Sequence, residues 1–201
     1  MKKLIIIGAG GHSKACLEVV ESSKIYKVIG FLDNKTNFDN FFNKFKIFNE
    51  NKLNAVLKIT KNVHIGVGQI KSPKLRINLF KKYKKKGFKF PVLIHSSAYI
   101  SKYSLINEGT LVGIDSVINA NCKIGHNTII NNKSLIEHDS KIGNNCHIST
   151  GVIINGNCSI GDNTFIGSGS IISNNITIGK NCVIGCGKII KKNLKTGTLI
   201  K

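Results

Sequence analysis

His138 is the residue best placed to move a proton. It stands between Glu137 and Asp139, and residues 94–201 hold only three other acids, Glu108, Asp115 and Asp162. An imidazole titrates near neutrality, and a carboxylate beside it can fix its tautomer, which is the pairing a general base uses. The plainer reading is a surface histidine with chance neighbours; two acids flanking it in an acid-poor segment weigh against that. A second kind of chemistry sits near the other end. Gly8-Ala9-Gly10-Gly11-His12 follows the apolar run Leu4-Ile5-Ile6-Ile7. Glycines there let a phosphate approach the backbone at a helix N-terminus, where free N–H groups and the dipole favour anions. The same glycines would also serve a tight turn. His12 reads as a substrate-site residue rather than a base. Cys16 and Cys186 offer a nucleophile in principle, but neither has a histidine beside it in the sequence.

These residues need elements to hold them. Lys2–Ile7 reads as a buried strand, Ser13 to Glu21 as a helix, and Lys27–Leu32 as a second strand ending at Asp33. Asn62–Val67 reads as a third strand, Ser72–Lys86 as a helix, and Phe88–Ile94 as a last strand. Strand, glycine loop, helix, strand and acid follow one another as in a mononucleotide-binding βαβ unit. Ser13 stands where a dinucleotide fold wants Gly or Ala, which argues against a dehydrogenase. The expectation is a Rossmann-like α/β domain over residues 1–92.

From Ile94 onward a period of six takes over. Every sixth residue to Ile190 is isoleucine, except Val112. The fourth residue after each is usually small: Ser104, Thr110, Ser116, Cys122, Thr128, Ser134, Ser140, Cys146 and so on. The residue directly after is often glycine, as at Gly113, Gly125, Gly143, Gly161 and Gly179. Six fits neither a helix nor a simple strand alternation. It fits a solenoid in which three hexapeptides make one triangular coil, with isoleucine on the axis and Gly or Asn at the tight turns. Cys122, Cys146, Cys158 and Cys182 fall at the small position, so packing accounts for them, and neither disulfides nor a metal is expected. A coil of eighteen residues stacks Gly156 on the corner of His138. A glycine there exposes a backbone N–H beside the imidazole, as an oxyanion donor would require; a simple turn glycine is the alternative. His147, nine residues after His138, lies half a coil round and cannot reach it within one coil.

The formal charge is +20, yet Arg76 is the one arginine among 30 basic residues. Proteins that read nucleic acid exploit the arginine fork, so this balance fits a source-wide bias towards lysine, or a small anionic substrate, better than DNA or RNA. The run Leu4–Ile7 is too short for a signal segment or a membrane span. A cytoplasmic protein with no nucleic-acid partner and no membrane insertion is expected.

Taken together, Gly8–His12, Phe31-Leu32-Asp33, Ile65-Gly66-Val67-Gly68 with Arg76, Leu93-Ile94-His95 and the hexapeptides bearing Ile136-Glu137-His138-Asp139 resemble one family along the whole chain. It is the hexapeptide-repeat sugar acetyltransferases, which include the UDP-4-amino-sugar N-acetyltransferases of bacillosamine-type pathways and the sialic acid O-acetyltransferases. The resemblance implies a left-handed parallel β-helix over residues 93–201, a homotrimer, and acetyl-CoA as co-substrate in grooves between subunits, without metal. It implies that Gly8, Gly10, Gly11 and His12 line the substrate's diphosphate and that Asp33 faces the uridine, although Asn34 stands where some members carry a second acid. It makes His138 the base and Asp139 its partner, with Glu137 as the alternative partner. Gly156 would contact the thioester carbonyl, and His147 the bound acetyl-CoA or substrate. Gly197-Thr198-Leu199-Ile200-Lys201 departs from the family's Gly-x-Pro-Ala-type loop, which helps hold the CoA adenine. The expected function is acetyl transfer to the amine of a nucleotide-linked sugar. O-acetylation of a sialic acid is the enzymatic alternative, and a non-catalytic nucleotide-sugar-binding solenoid is the alternative of another class.

Overall fold

A computed structural model describes residues 1–35, 38–70 and 72–201. The first layer is built around β1 (Lys2–Ile7), β2 (Tyr26–Leu32), β3 (Ile47–Phe48) and β4 (Val63–Ile65). They form one parallel sheet in the order β3-β2-β1-β4. β1 is apolar on both faces, with Leu4, Ile5 and Ile6 fully buried, as a central parallel strand must be when both sides are covered. α1 (Gly11–Ser23) and α3 (Lys74–Lys85) follow the first and fourth strands, and α2 (Leu53–Ile59) precedes the fourth.

The remainder is a left-handed β-helix. Two-residue strands from Leu93–Ile94 to Leu199–Ile200 form three parallel sheets of five, seven and six strands. Ile124 pairs with Ile142 and Ile142 with Ile160, so one coil is eighteen residues. The isoleucines at the repeat position fill the axis: Ile118, Ile124, Ile130, Ile136, Ile148 and Ile154 have no exposed surface. The small residues four positions on are buried beside them, and their polar atoms are spent along the axis. Thr110 Oγ1 donates to the Gly125 carbonyl at 2.7 Å, Ser134 Oγ to Ser149 at 2.9 Å, and the Cys122 thiol to Glu137 at 3.1 Å. All four cysteines placed at this position are free and buried.

Three sequence expectations change. Phe88–Ile94 is not one strand: Lys89 makes an isolated bridge to Asn62, and Leu93–Ile94 already belongs to the first coil. The glycines directly after isoleucine do not take the left-handed turn. Asn, Asp, Gly or, at one turn, Lys three residues after the isoleucine does, from Asp115 and Asn121 through Lys133 and Asn157 to Gly187, with φ between 52° and 68°. The glycines are required for a different reason: a Cβ at Gly125 would lie 2.5 Å from the backbone of Gly143 one coil on. The third change is between residues 40 and 59, where the sequence announced no element. A short 3-10 turn at Asn40–Lys44, β3 and α2 fill this stretch.

The two layers meet along one face of the solenoid. Leu93, Leu111, Ile129, His147, Phe165, Val183 and Leu199 form one column on the outside of the seven-stranded sheet. α1 covers the top of it, packing Cys16, Leu17, Val19 and Val20 into one cluster with Leu93, Leu111 and Ile129. Below that contact His147 and Phe165 are still buried, and the column opens only towards Val183 and Leu199.

Candidate functional site

Three groups of residues come together in this framework. The first is at the corner carrying His138. The imidazole is exposed, and its Nδ1 lies 2.8 Å from Asp139 Oδ2. A carboxylate can only accept, so Nδ1 carries the proton and Nε2 of the neutral ring is left bare. Asp139 is fixed from both sides: its backbone takes the left-handed turn, φ 62°, and its other oxygen accepts from Asn121 at 2.7 Å. The hydrogen bonds from His138 and then Asn121 hold its carboxyl below the ordinary aspartate range. Glu137 points elsewhere and accepts from Asn119 at 2.8 Å, so Asp139 is the acid that touches the imidazole.

Gly156 lies one coil on, against the same ring. A Cβ there would stand 2.8 Å from both Cε1 and Nε2 of His138, so the contact exists only with glycine. The Gly156 carbonyl accepts from Asn175, while its N–H meets no acceptor among the described residues. The corresponding amide is capped from the next coil at some corners, as Ile114 is by Asn132 and His126 by Asn144, and has no acceptor among the described residues at others, as at Ala120 and Thr150. The bare imidazole nitrogen therefore stands against the Gly156 backbone.

The second group is a 380 Å³ pocket at the carboxyl ends of the parallel strands. It is lined by Gly8–His12, Asp33, Asn34, Glu50, Gly66–Gly68 and Tyr83. Gly8 has φ +96° and could not carry a side chain without strain, whereas a Cβ at Gly10 or Gly11 meets nothing within 4 Å. Packing does not call for glycine at those two positions; the open backbone at the start of α1 leaves a cradle that suits a phosphate. Asp33 faces this loop, and both its oxygens are engaged, Oδ2 by the Ala9 N–H at 2.8 Å and Oδ1 by Lys35 at 3.0 Å. Glu50 and Tyr83, hydrogen-bonded to each other, complete the far wall.

The third group lies on the seam between the layers. His147 Nδ1 donates to the Gln69 carbonyl at 2.5 Å, which leaves Nε2 as a buried, unpartnered acceptor. The His12 ring is 6.3 Å away. Burial first, then the Arg76 charge, holds His12 down to about 3; burial also lowers His147, to about 4. Both rings are neutral at pH 7. Among the described residues every buried side-chain N or O atom without a partner belongs to His12, His64, Gln69, Arg76 or His147. Leaving such a group unmade costs about 1–3 kcal/mol. These seven atoms gather along the seam, with His64 and Arg76 themselves out of reach of solvent. The seam opens into a 740 Å³ apolar groove floored by Phe165, Val183 and Leu199, with Ser149 and Ser168 on its wall.

Comparison with known proteins accounts for both layers. The family described as PglD N-terminal domain matches residues 3–83. The bacterial transferase hexapeptide family (six repeats) matches residues 121–156, 139–174 and 157–192. PerB from Caulobacter crescentus, solved in complex with CoA and GDP-perosamine, superimposes with a TM-score of 0.90 at 25% identity, over 99% of this chain and 93% of that one. The acetyltransferase domain of PglB from Neisseria gonorrhoeae, in complex with acetyl coenzyme A, gives 0.88 at 28% identity, over 98% and 95%. The chain is similar, along almost its whole length, to hexapeptide-repeat sugar acetyltransferases. WeeI from Acinetobacter baumannii shares the fold, with a TM-score of 0.84 at 22% identity over 99% and 96%.

Within this hexapeptide-repeat architecture, the sequence-predicted residues fall into separate places. His138, Asp139 and Gly156 share one corner; Gly8, Gly10, Gly11, His12 and Asp33 share the pocket; His147 sits on the seam, close to His12 and half a coil from His138. His126 stacks on Phe80 and His95 bonds Ser97, so neither enters a site. Sequence reading missed Glu50 and Tyr83, which lie in stretches with no motif, and His64, hidden in a three-residue strand. It also missed the groove floor, although stepping by eighteen from Leu93 would have found Phe165 and Val183.

Proposed function

We propose that the protein transfers an acetyl group from acetyl-CoA to the amine of a nucleotide-linked amino sugar. The observation that carries this reading is the corner at His138. A base whose Nε2 is bare, oriented by Asp139, stands against a glycine amide with no acceptor of its own.

Each chain group has a distinct task. The open backbone of Gly8, Gly10 and Gly11 holds the diphosphate at the start of α1, with His12 beside it. Asp33 shapes the loop by capping Ala9. The apolar groove below His147 suits the pantetheine arm of acetyl-CoA, and the bare Nε2 of His147 accepts a hydrogen bond there. His138 Nε2 takes the proton from the attacking amine while the Gly156 N–H donates to the oxygen that gains charge. The proton passes on to the departing thiolate, so no metal and no covalent enzyme intermediate enters the scheme. Asp139 keeps Nδ1 protonated throughout and stabilises the imidazolium. The pocket and groove lie on one face and His138 on a corner half a coil away, so a homotrimer is proposed, in which the corner of one subunit completes the face of the next. PerB and PglB, whose structures hold a nucleotide sugar or acetyl coenzyme A, support the choice of substrates.

The test is thiol release from acetyl-CoA with three acceptors in parallel: a UDP-linked 4-amino sugar, GDP-perosamine and a free sialic acid. Turnover with either nucleotide-linked amine and not with sialic acid supports the proposal. Turnover with sialic acid alone would move the activity to O-acetylation. Silence with all three, without acetyl-CoA binding, would leave a binding solenoid.

A further inference from the structure

Among the described residues Arg76 is the most deeply buried of the lysines and arginines, with 1% of its surface exposed. From α3 it ties the two layers together. One guanidinium nitrogen donates to the carbonyls of Ile65 at 3.1 Å and Val67 at 2.6 Å; the other donates to the Asn127 carbonyl at 3.1 Å and side-chain oxygen at 2.9 Å. Asn127 is itself the head of a ladder down the solenoid, through Asn145 and Asn163 to Asn181. Backbone carbonyls and an amide engage both terminal nitrogens of the guanidinium, Nε has no partner, and none of these acceptors neutralises the charge. No carboxylate forms an ion pair with it among the described residues. Burial lowers it to about 10, which still leaves it charged at neutral pH.

A buried charge without a counter-ion is among the costlier features a fold can carry. Its position says what could compensate it. The carbonyls it grips flank Gly66 and adjoin Gly68, both of which line the pocket opposite Gly8–His12. Val67 packs against Gly8, and Gly68 against His12. The neighbouring polar side chains, His12, His64 and His147, are neutral and carry unpartnered nitrogens. A neutral hydrogen-bonding shell around one fixed positive charge, set behind the wall of a pocket that holds a bare helix N-terminus, complements an anion.

We propose that Arg76 is the buried counter-charge of the nucleotide's diphosphate, acting from behind the Gly66–Gly68 loop without touching the phosphates. It is a positioning and electrostatic residue, and the inference rests on the nucleotide-linked substrate proposed above. It accounts for why an arginine with no acid partner is placed at this seam, and it makes affinity for the diphosphate, rather than for the nucleoside, the property that depends on its charge.

The experiment compares the affinity of the full chain for UDP and GDP with its affinity for uridine and guanosine, by calorimetry. In Arg76→Met the preference for diphosphate over nucleoside should fall about ten- to hundredfold, the range expected of a unit charge several ångströms away at an effective dielectric of about 20. Equal losses for diphosphate and nucleoside would mean a purely structural role and overturn the inference. Arg76→Lys provides a second readout, should the methionine variant fail to fold. A buried lysine loses its proton far more readily than arginine. The groups facing residue 76 are His12 and Cys16 on α1, His64 on β4 and His147 on the solenoid. The three imidazoles are already neutral at pH 7, and burial pushes the Cys16 thiol up to about 12. UDP affinity of Arg76→Lys should therefore fall at least tenfold between pH 7 and pH 10, in excess of any change in the parent; a parallel profile overturns the inference. If the unaltered protein binds neither diphosphate, the nucleotide reading itself fails, and this inference with it.

Discussion

Asp139 answers two demands with one side chain. Its φ of 62° is a conformation that most L residues resist, and its carboxylate holds both His138 and Asn121. Replacing His138 by Asn should lower kcat about 10²–10⁴-fold, the range for a positioned base, with little change in acetyl-CoA affinity. Asp139→Asn tolerates the same turn but offers the imidazole a neutral amide, so kcat should fall by a smaller factor while the urea midpoint stays put. Gly156→Ala tests the neighbouring contact. The added methyl would fall 2.8 Å from the ring, and the exposed imidazole can swing aside at low cost. Activity should collapse while thermal stability holds; an active Gly156→Ala enzyme would contradict the placement of base and amide.

The solenoid strands are only two residues long, and their stability comes from stacking rather than length. That is why they were legible: a sixfold period survives any uncertainty about individual boundaries, and the eighteen-residue coil follows from it, bringing His138 and Gly156 together on paper. β1, α1 and β2 were readable for the same reason, a strong apolar run punctuated by glycine. The seam was not readable. Gln69 meets His147 across 78 positions of sequence, and Arg76 meets Asn127 across 51. Neither pairing leaves a periodic trace, since both depend on how α3 lies against the coils. The turn geometry was misassigned because glycine marks two positions in each hexapeptide for different reasons, one for φ and one for close approach of the next coil. Lys133 exposes the difference: it takes φ 58° at a position elsewhere held by Asn, Asp or Gly. Lys133→Gly should raise the urea midpoint by the equivalent of about 1 kcal/mol, the cost of a left-handed residue with a side chain. Asn145→Ala should do the reverse, since it loses both the ladder bonds and the tolerance of that conformation.

For the molecule as a whole, the buried imidazoles set the response to acid. His12 and His147 are depressed to about 3 and about 4, and His64 lies well below 6.5, the ordinary value to which all three return on unfolding. Below pH 6.5 the unfolded chain therefore binds protons that the folded chain refuses. This part of the stability is complete above pH 6.5 and is lost as pH falls towards 4 and then 3, by about 1.4 kcal/mol per pH unit for each ring. Urea midpoints at pH 7.5, 5.5 and 4.5 measure it, and a flat profile would mean that the seam is wetter than its geometry implies. Light scattering of the same samples tests the threefold assembly. The stacking of coils carries a further consequence. Each coil pairs only with the one before and the one after, in identical register, so the chain is additive along its axis. An in-frame duplication of a single coil beyond Gly156 would lengthen the body by about 4.8 Å, one strand spacing, and extend the groove floor without disturbing the corner above. Lineages of such proteins can thus drift in length by whole coils, as a ruler gains divisions, while the chemistry stays at a fixed mark.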